Sequence, residues 1–248
     1  MASMRITLAL LVAAAACAQP PAAPPPFPTP SVLTPAARMI NDYGNRFRYA
    51  AENQKIRPAA PGEDRVVFMG DSITDGWGRS NNGEFFPGKP YINRGISGQV
   101  TPQMLLRFYP DVVALKPKVV VILAGTNDIG GNVGPMTLED TESYLMSMCD
   151  LARANDIKVV LASLTPVCDY HRPQTQARPP EKIRALNRWI EDYTSKNHFV
   201  YLDYYSATVD QQGFFKAEIT GDGLHPNAAG YQIMAPLAEK AIAQALGR

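Results

Sequence analysis

Val66-Val67-Phe68-Met69-Gly70-Asp71-Ser72-Ile73-Thr74-Asp75-Gly76-Trp77 passes from an unbroken apolar run to a polar one at a single glycine. β-Branched and aromatic residues without polar alternation predict that Val66 to Met69 form a strand buried on both faces, as in a parallel sheet. Gly70 ends the run. Asp71 to Asp75, rich in Ser, Thr and Asp, then suit a helix N-terminus, where unpaired N–H groups take oxygens from side chains or a ligand. Ser72 therefore stands at the carboxyl edge of a strand, where open α/β sheets place their sites. Taken alone, Ser72 reads first as a helix cap, with a nucleophile as the other reading.

The pattern recurs outward from this stretch. Tyr91 to Asn93 is a short strand ending in Arg94-Gly95-Ile96-Ser97-Gly98, and Thr101-Pro102 predicts a cap with proline in the first helical turn. Lys118 to Ala124 is the clearest buried strand and opens onto Gly125-Thr126-Asn127-Asp128. Thr137, with Asp140 three residues later, caps a helix running to about Asn155, followed by a strand from Ile157 to Ser163. A helix over Pro180–Asn197 turns Ile183, Leu186, Trp189, Ile190 and Tyr193 inward, Phe199 to Asp203 is a strand, and a final helix starts at about Asn227. Pro236 predicts a kink or restart within it. Upstream, Met39, Ile40, Tyr43, Phe47 and Ala50 fall at helical spacing within Ala36 to Gln54, predicting an amphipathic helix across the sheet. Five strands alternating with helices predict an α/β domain: a three-layer α/β/α sandwich around a mainly parallel five-stranded sheet.

A chain of 248 residues with a net charge of +1 has room for one well-packed domain. It has no lysine or arginine run to track nucleic acid or a membrane surface, so neither is expected as a partner. Met4 and Arg5 precede an apolar run from Ile6 to Ala16 and the small residues Ala16-Cys17-Ala18, which together read as a secretory signal peptide over residues 1–18. That run is shorter than the ~20 residues that span a bilayer. Ala14-Ala15-Ala16-Cys17 also resembles a bacterial lipobox without its leucine, so lipidation at Cys17 competes with cleavage after Ala18. The proline-rich residues 19–30 form a tether, leaving 31–248 as the domain. The expected location is periplasmic or extracellular. Export permits a disulfide between Cys149 and Cys168, and two buried thiols account for them equally well.

If Ser72 is a nucleophile, the chain offers three histidines as its base. His198 sits at a helix end feeding a strand, a structural position. His171 lies in the long loop after the fourth strand, open either to substrate or to solvent. His225 follows Asp222-Gly223-Leu224, a turn in which the carboxylate can bend back onto the ring and set its tautomer. In the polar loop from Gly78 to Pro90, Trp77, Phe85 and Phe86 either line a cleft and bind substrate or pin the loop to the core.

Together these blocks resemble the SGNH hydrolases, the GDSL-type esterase and lipase superfamily. Gly70-Asp71-Ser72, Gly95, Gly125-Thr126-Asn127-Asp128 and Asp222-Gly223-Leu224-His225 occur in the family's order, from about Arg65 to the C-terminus. Ile73 stands where the family's nickname has leucine. The layout is also similar to platelet-activating-factor acetylhydrolase-like members and to secreted carbohydrate acetylesterases. The resemblance implies a flavodoxin-like fold and a serine esterase without cofactor or metal. It implies a triad of Ser72, His225 and Asp222, with an oxyanion hole formed by the N–H groups of Ser72 and Gly95 and the carboxamide of Asn127. Asp71 and Asp128 are expected to brace their loops, and Asp75 is unassigned.

The expected substrate is a small ester, foremost an O-acetyl group on a carbohydrate, because no long apolar insertion offers a lid or acyl tunnel. A lysophospholipase or arylesterase of the same fold is the alternative. Two readings of other classes are a metal-dependent phosphoesterase, suggested by the Gly-Asp and Gly-Thr-Asn-Asp loops, and an inactive binding module. The first needs more histidines than the chain has, and the second needs a distortion at residues that are all present.

Overall fold

The structure, a computed structural model, describes residue 40, residues 42–79 and residues 81–248. The signal-peptide and tether residues, and Met39, lie outside the described residues. In chain order the principal elements are α1 (Ala50–Asn53), β1 (Val66–Gly70), α2 (Ser72–Asp75), β2 (Tyr91–Gly95), α3 (Thr101–Asp111), β3 (Val119–Leu123), α4 (Thr126–Ile129), α5 (Leu138–Arg153), β4 (Lys158–Ala162), α6 (Pro180–Asn197), β5 (Val200–Leu202), α7 (Tyr205–Thr208) and α8 (Ala228–Ala245). All five strands are parallel, in the order β2-β1-β3-β4-β5. α3, α5 and α6 pack as one layer and α8 covers β3, β4 and β5 from the other side. The expected three-layer sandwich is thus what the chain forms.

Every residue of β1 and β3 is buried, which is why both read as continuous apolar runs. The strand order reverses between β1 and β3, so the crevice at their carboxyl ends is the topological switch point, where such sheets bind ligands. The residues following β1, β2 and β3 all open there.

α5 begins as its sequence requires: Thr137 accepts from the Asp140 N–H and Asp140 from the Thr137 N–H, both at 3.0 Å. Three expectations change. Of the helix expected over Ala36 to Gln54, residues 36–39 and 41 lie outside the described residues, Ile40 is helical, residues 42–49 are mostly turns, and the four-residue α1 follows. Asn45 adopts a left-handed conformation at φ 50°, and the Asp42 carboxylate accepts from the Phe47 N–H, which closes the chain into turns. Ile40 is 83% exposed, and Tyr49 is the aromatic that enters the core. At the start of α3, Thr101 does not cap; Val100 holds that position, with Gln103 Oε1 accepting from the Val100 N–H. Finally, of the kink or restart expected at Pro236, the restart does not occur, since α8 runs through that residue as one helix.

Beneath the crevice lies Arg107, a fully buried cation on α3. It donates to the backbone carbonyls of Gly70 at 3.1 Å and Arg94 at 2.8 Å, to Gln99 Oε1 at 2.5 Å, and to the buried Asp111 carboxylate at 3.1 Å. One side chain therefore joins the ends of β1 and β2 to the loop that follows β2. Asn53 extends this network by donating to Asp111 and accepting from Arg94, so the docking of α1, which buries no residue, is largely polar.

Candidate active site

Ser72 is the first residue of α2, and Asp71 caps that helix by accepting from the Ile73 N–H at 2.9 Å. The serine is thereby relieved of capping and its hydroxyl is turned elsewhere. Ser72 Oγ lies 2.9 Å from His225 Nε2, and His225 Nδ1 lies 2.6 Å from Asp222 Oδ2. A carboxylate can only accept, so Nδ1 carries the proton and Nε2 of the neutral ring is left to accept from the serine hydroxyl. The other Asp222 oxygen accepts from the N–H groups of Leu224 and His225 at 3.0 and 2.8 Å. Partial burial raises the Asp222 pKa, but these N–H donors and the imidazole outweigh burial and hold it below the ordinary carboxylate value.

The turn itself depends on Gly223. Its φ is 83°, and a Cβ there would meet the Cys168 carbonyl oxygen. The Cys168 N–H donates to the Gly223 carbonyl at 2.9 Å, tying the Asp222–His225 turn to the loop after β4.

Asn127 is the second residue of α4 and is buried. Its Nδ2 donates to the Gln99 carbonyl at 3.0 Å and stands 3.4 Å from Asp71 Oδ2, while Oδ1 accepts from Arg178 at 3.2 Å. Gly95 is a correction. It is the last residue of β2 rather than a loop glycine, and its N–H is already given to Asn93 Oδ1 at 2.9 Å. Its missing side chain serves packing, since a Cβ there would run into the backbone of Thr74 and Asp75 in α2. Three residues on, Gly98 sits at φ 81° with open space around it. Among the described residues, the N–H groups of Ser72 and Gly98 meet no protein acceptor. Sequence reasoning missed Gly98, although an Asn two residues before a glycine is a known way for a side chain to occupy that N–H.

Residues 68–233 match the GDSL-like lipase/acylhydrolase family. The chain belongs to that family. A GDSL-like lipase from Bacteroides thetaiotaomicron is 42% identical, with a TM-score of 0.75 over 82% of this chain and 99% of that one. The acetylxylan esterase of Geobacillus stearothermophilus is 23% identical over 199 residues, 69% of this chain and 90% of its own length. An uncharacterized lipoprotein of Bacillus subtilis is 27% identical over 112 residues, 41% of this chain and 46% of that protein.

For a GDSL-like acylhydrolase, the remaining candidates fall on both sides of the site. Trp77 and Phe86 are only 5% and 6% exposed. With Phe85 they pack on Phe68, Tyr91 and Tyr231 at centroid separations from 4.9 to 6.1 Å. Trp77 and Phe86 therefore pin their loop to the core, while Phe85 is partly buried beside them. His171 is exposed, with Nε2 at 3.0 Å from the Ala217 carbonyl. His198 ends α6 in a left-handed conformation, the structural position expected.

Asp128 accepts from the Thr101 N–H and hydroxyl, bracing α4 against α3. Asp75 accepts from the Ser97 N–H and, at 2.6 Å, its hydroxyl, which steadies the loop carrying Gly98. Among the described residues no three His, Cys, Asp or Glu side chains gather as a metal ion would require, and no helix is long and apolar enough to cross a membrane.

Asp71 is completely buried, and that burial pushes its pKa from 3.8 up to about 6 despite the Ile73 N–H and the nearby His225 and Arg178. A raised acid pKa means that the folded state holds the proton more tightly than the unfolded chain, so this group's contribution is full below pH 4 and is lost as pH rises through about 6. Asn caps a helix as well as Asp. Asp71→Asn is therefore expected to gain stability relative to the parent protein between pH 4 and pH 7, read as diverging urea midpoints. Parallel midpoints across that range would contradict the assignment.

Proposed function

We propose that this esterase hydrolyses short-chain carboxylic esters through Ser72, His225 and Asp222. The observation that carries the reading is the unbroken line from Ser72 Oγ through His225 to Asp222, with contacts of 2.9 and 2.6 Å. His225 Nε2 takes the hydroxyl proton as Ser72 Oγ attacks the ester carbon, and Asp222 stabilises the imidazolium. The proton then passes to the departing alcohol oxygen, leaving an acyl-serine. Water attacks this acyl-enzyme, again with His225 as base, and releases the acid.

The carbonyl oxygen becomes an oxyanion during each attack, and donors already in place favour that charge. We assign them as the N–H of Ser72, the N–H of Gly98 in place of Gly95, and Asn127 Nδ2. Nδ2 donates to the Gln99 carbonyl at 3.0 Å and, in a long bond of 3.4 Å, to Asp71 Oδ2, and the oxyanion would compete for the hydrogen of that longer bond. Asn127→Ala is expected to lower kcat about 10²- to 10³-fold with little change in KM, since the bond strengthens in the transition state. Steady-state kinetics check this, and an unchanged kcat would remove Asn127 from the oxyanion hole.

The favoured substrate is an O-acetyl group on a carbohydrate. Support comes from the likeness to an acetylxylan esterase, which spans 90% of that enzyme. The burial of Trp77 and Phe86 withdraws one argument for a sugar, so glycan contacts must come from other residues. Activity is expected to be greatest on acetyl and to fall along an acyl-length series, and acetylated xylo-oligosaccharides should be cleaved with higher kcat/KM than phenyl acetate. Equal or better cleavage of octanoyl esters would favour a lysophospholipase or arylesterase. We further propose export, with residues 31–248 as the mature domain and either cleavage after Ala18 or lipidation at Cys17; the lipoprotein relative lends support to the second route.

A further inference from the structure

We propose that Arg178 is a positioning residue that fixes the amide of Asn127 with its NH₂ group turned toward the oxyanion; the inference rests on the oxyanion role given to Asn127 above. Arg178 lies two residues before α6 and is 9% exposed, yet its guanidinium makes no ion pair among the described residues. It donates instead to two amide oxygens, Asn127 Oδ1 at 3.2 Å and Gln174 Oε1 at 3.3 Å, and its buried Nε has no partner. Burying a cation on such terms is costly, and the Asp71 and Asp222 carboxylates offset that cost only through space, without a direct bond.

The geometry shows what the cation does there. Gly130, at the end of α4, leaves the room that the guanidinium occupies; a Cβ on it would stand 2.9 to 3.2 Å from three guanidinium atoms. Through this gap Arg178 reaches the side chain of Asn127 from behind. Guanidinium only donates, so the amide group facing it must be the carbonyl oxygen. On the opposite side, the Gln99 carbonyl and Asp71 carboxylate only accept, so the group facing them must be NH₂. Of these three partners, Arg178 alone holds the oxygen. Gln99 and Asp71 oppose a flip from the NH₂ side and Arg178 opposes it from the oxygen side; without Arg178 the amide oxygen is untethered and the NH₂ group is held less firmly toward the developing negative charge. A second link reaches the other half of the site, because Gln174 Nε2 donates to the Asp222 carbonyl at 3.1 Å.

The test is a double-mutant cycle on the full-length protein with p-nitrophenyl acetate, joining Arg178→Met and Asn127→Ala. Arg178→Met alone is expected to lower kcat at least tenfold with KM within about twofold, and in the Asn127→Ala background to change kcat by less than about twofold. Arg178→Lys, which keeps the charge and one donor, should recover part of the loss. If the Met variant does not fold, the Lys variant carries the same cycle with a smaller expected effect.

An equal fold-loss from the Arg178 substitution in both backgrounds would overturn the proposal, since Arg178 would then act independently of Asn127. In that outcome Asn127→Ala alone is still slow and the oxyanion hole stands. An Asn127→Ala variant with parental kcat would overturn both together.

Discussion

Ser72→Ala is expected to lower kcat for p-nitrophenyl acetate by roughly 10⁵- to 10⁶-fold, the scale seen when a triad nucleophile is removed, while leaving the urea midpoint unchanged. The reason for the second half is local. Asp71, not Ser72, caps α2, and the Ser72 hydroxyl has His225 as its partner, so alanine removes no bond that holds the backbone. The N–H of residue 72 remains in place, which leaves the oxyanion donors intact and a small residual rate with them. His225→Ala should cost about as much, and the pair together little more than either alone, because the two act as one unit. Turnover near the parental rate in both purified variants would rule out the triad.

The largest expected effect on stability is at Arg107. Arg107→Leu leaves the Asp111 carboxylate buried with Asn53 as its remaining side-chain partner, and it strips a donor from the carbonyls of Gly70 and Arg94 and from Gln99. Breaking a buried pair in this way costs about 3–5 kcal/mol, a large part of the 5–15 kcal/mol by which domains are stable. Urea denaturation should show it directly. The double variant Arg107→Leu/Asp111→Leu should be less destabilised than the single one, because no buried charge is then left unpaired. A single variant within 1 kcal/mol of the parent protein would contradict the role assigned to this network.

How much of this could be read from the residues follows from what each element is made of. β1 and β3 were legible because fully buried parallel strands have no polar face to confuse the pattern. The contact of Asp222 with His225 was legible because the two lie within one turn, leaving only the long-range meeting with Ser72 to the fold. Gly95 misled because sequence proximity to a loop does not reveal that β2 runs two residues further and that Asn93 has taken its N–H. The helix expected before β1 is broken over residues 42–49 because Asn45 and the Asp42 side chain close turns where periodicity alone sees a face. Arg107 and Arg178 were invisible for another reason: pattern reading sends charged residues to solvent, and these two point into the protein. Their signal was spatial, in the carbonyls and amides that await a donor.

Cys149 and Cys168 close a question that composition left open. Both are free and buried; Cys149 belongs to the principal core, whereas Cys168 packs with Phe215 and Ile219 in a small separate cluster. Burial pushes the Cys149 thiol up to about 12, well away from the thiolate needed to react. Among the described residues the fold therefore closes without a cross-link between these two positions. Packing at Cys149 and Cys168 is thus the same in reducing and in oxidising surroundings.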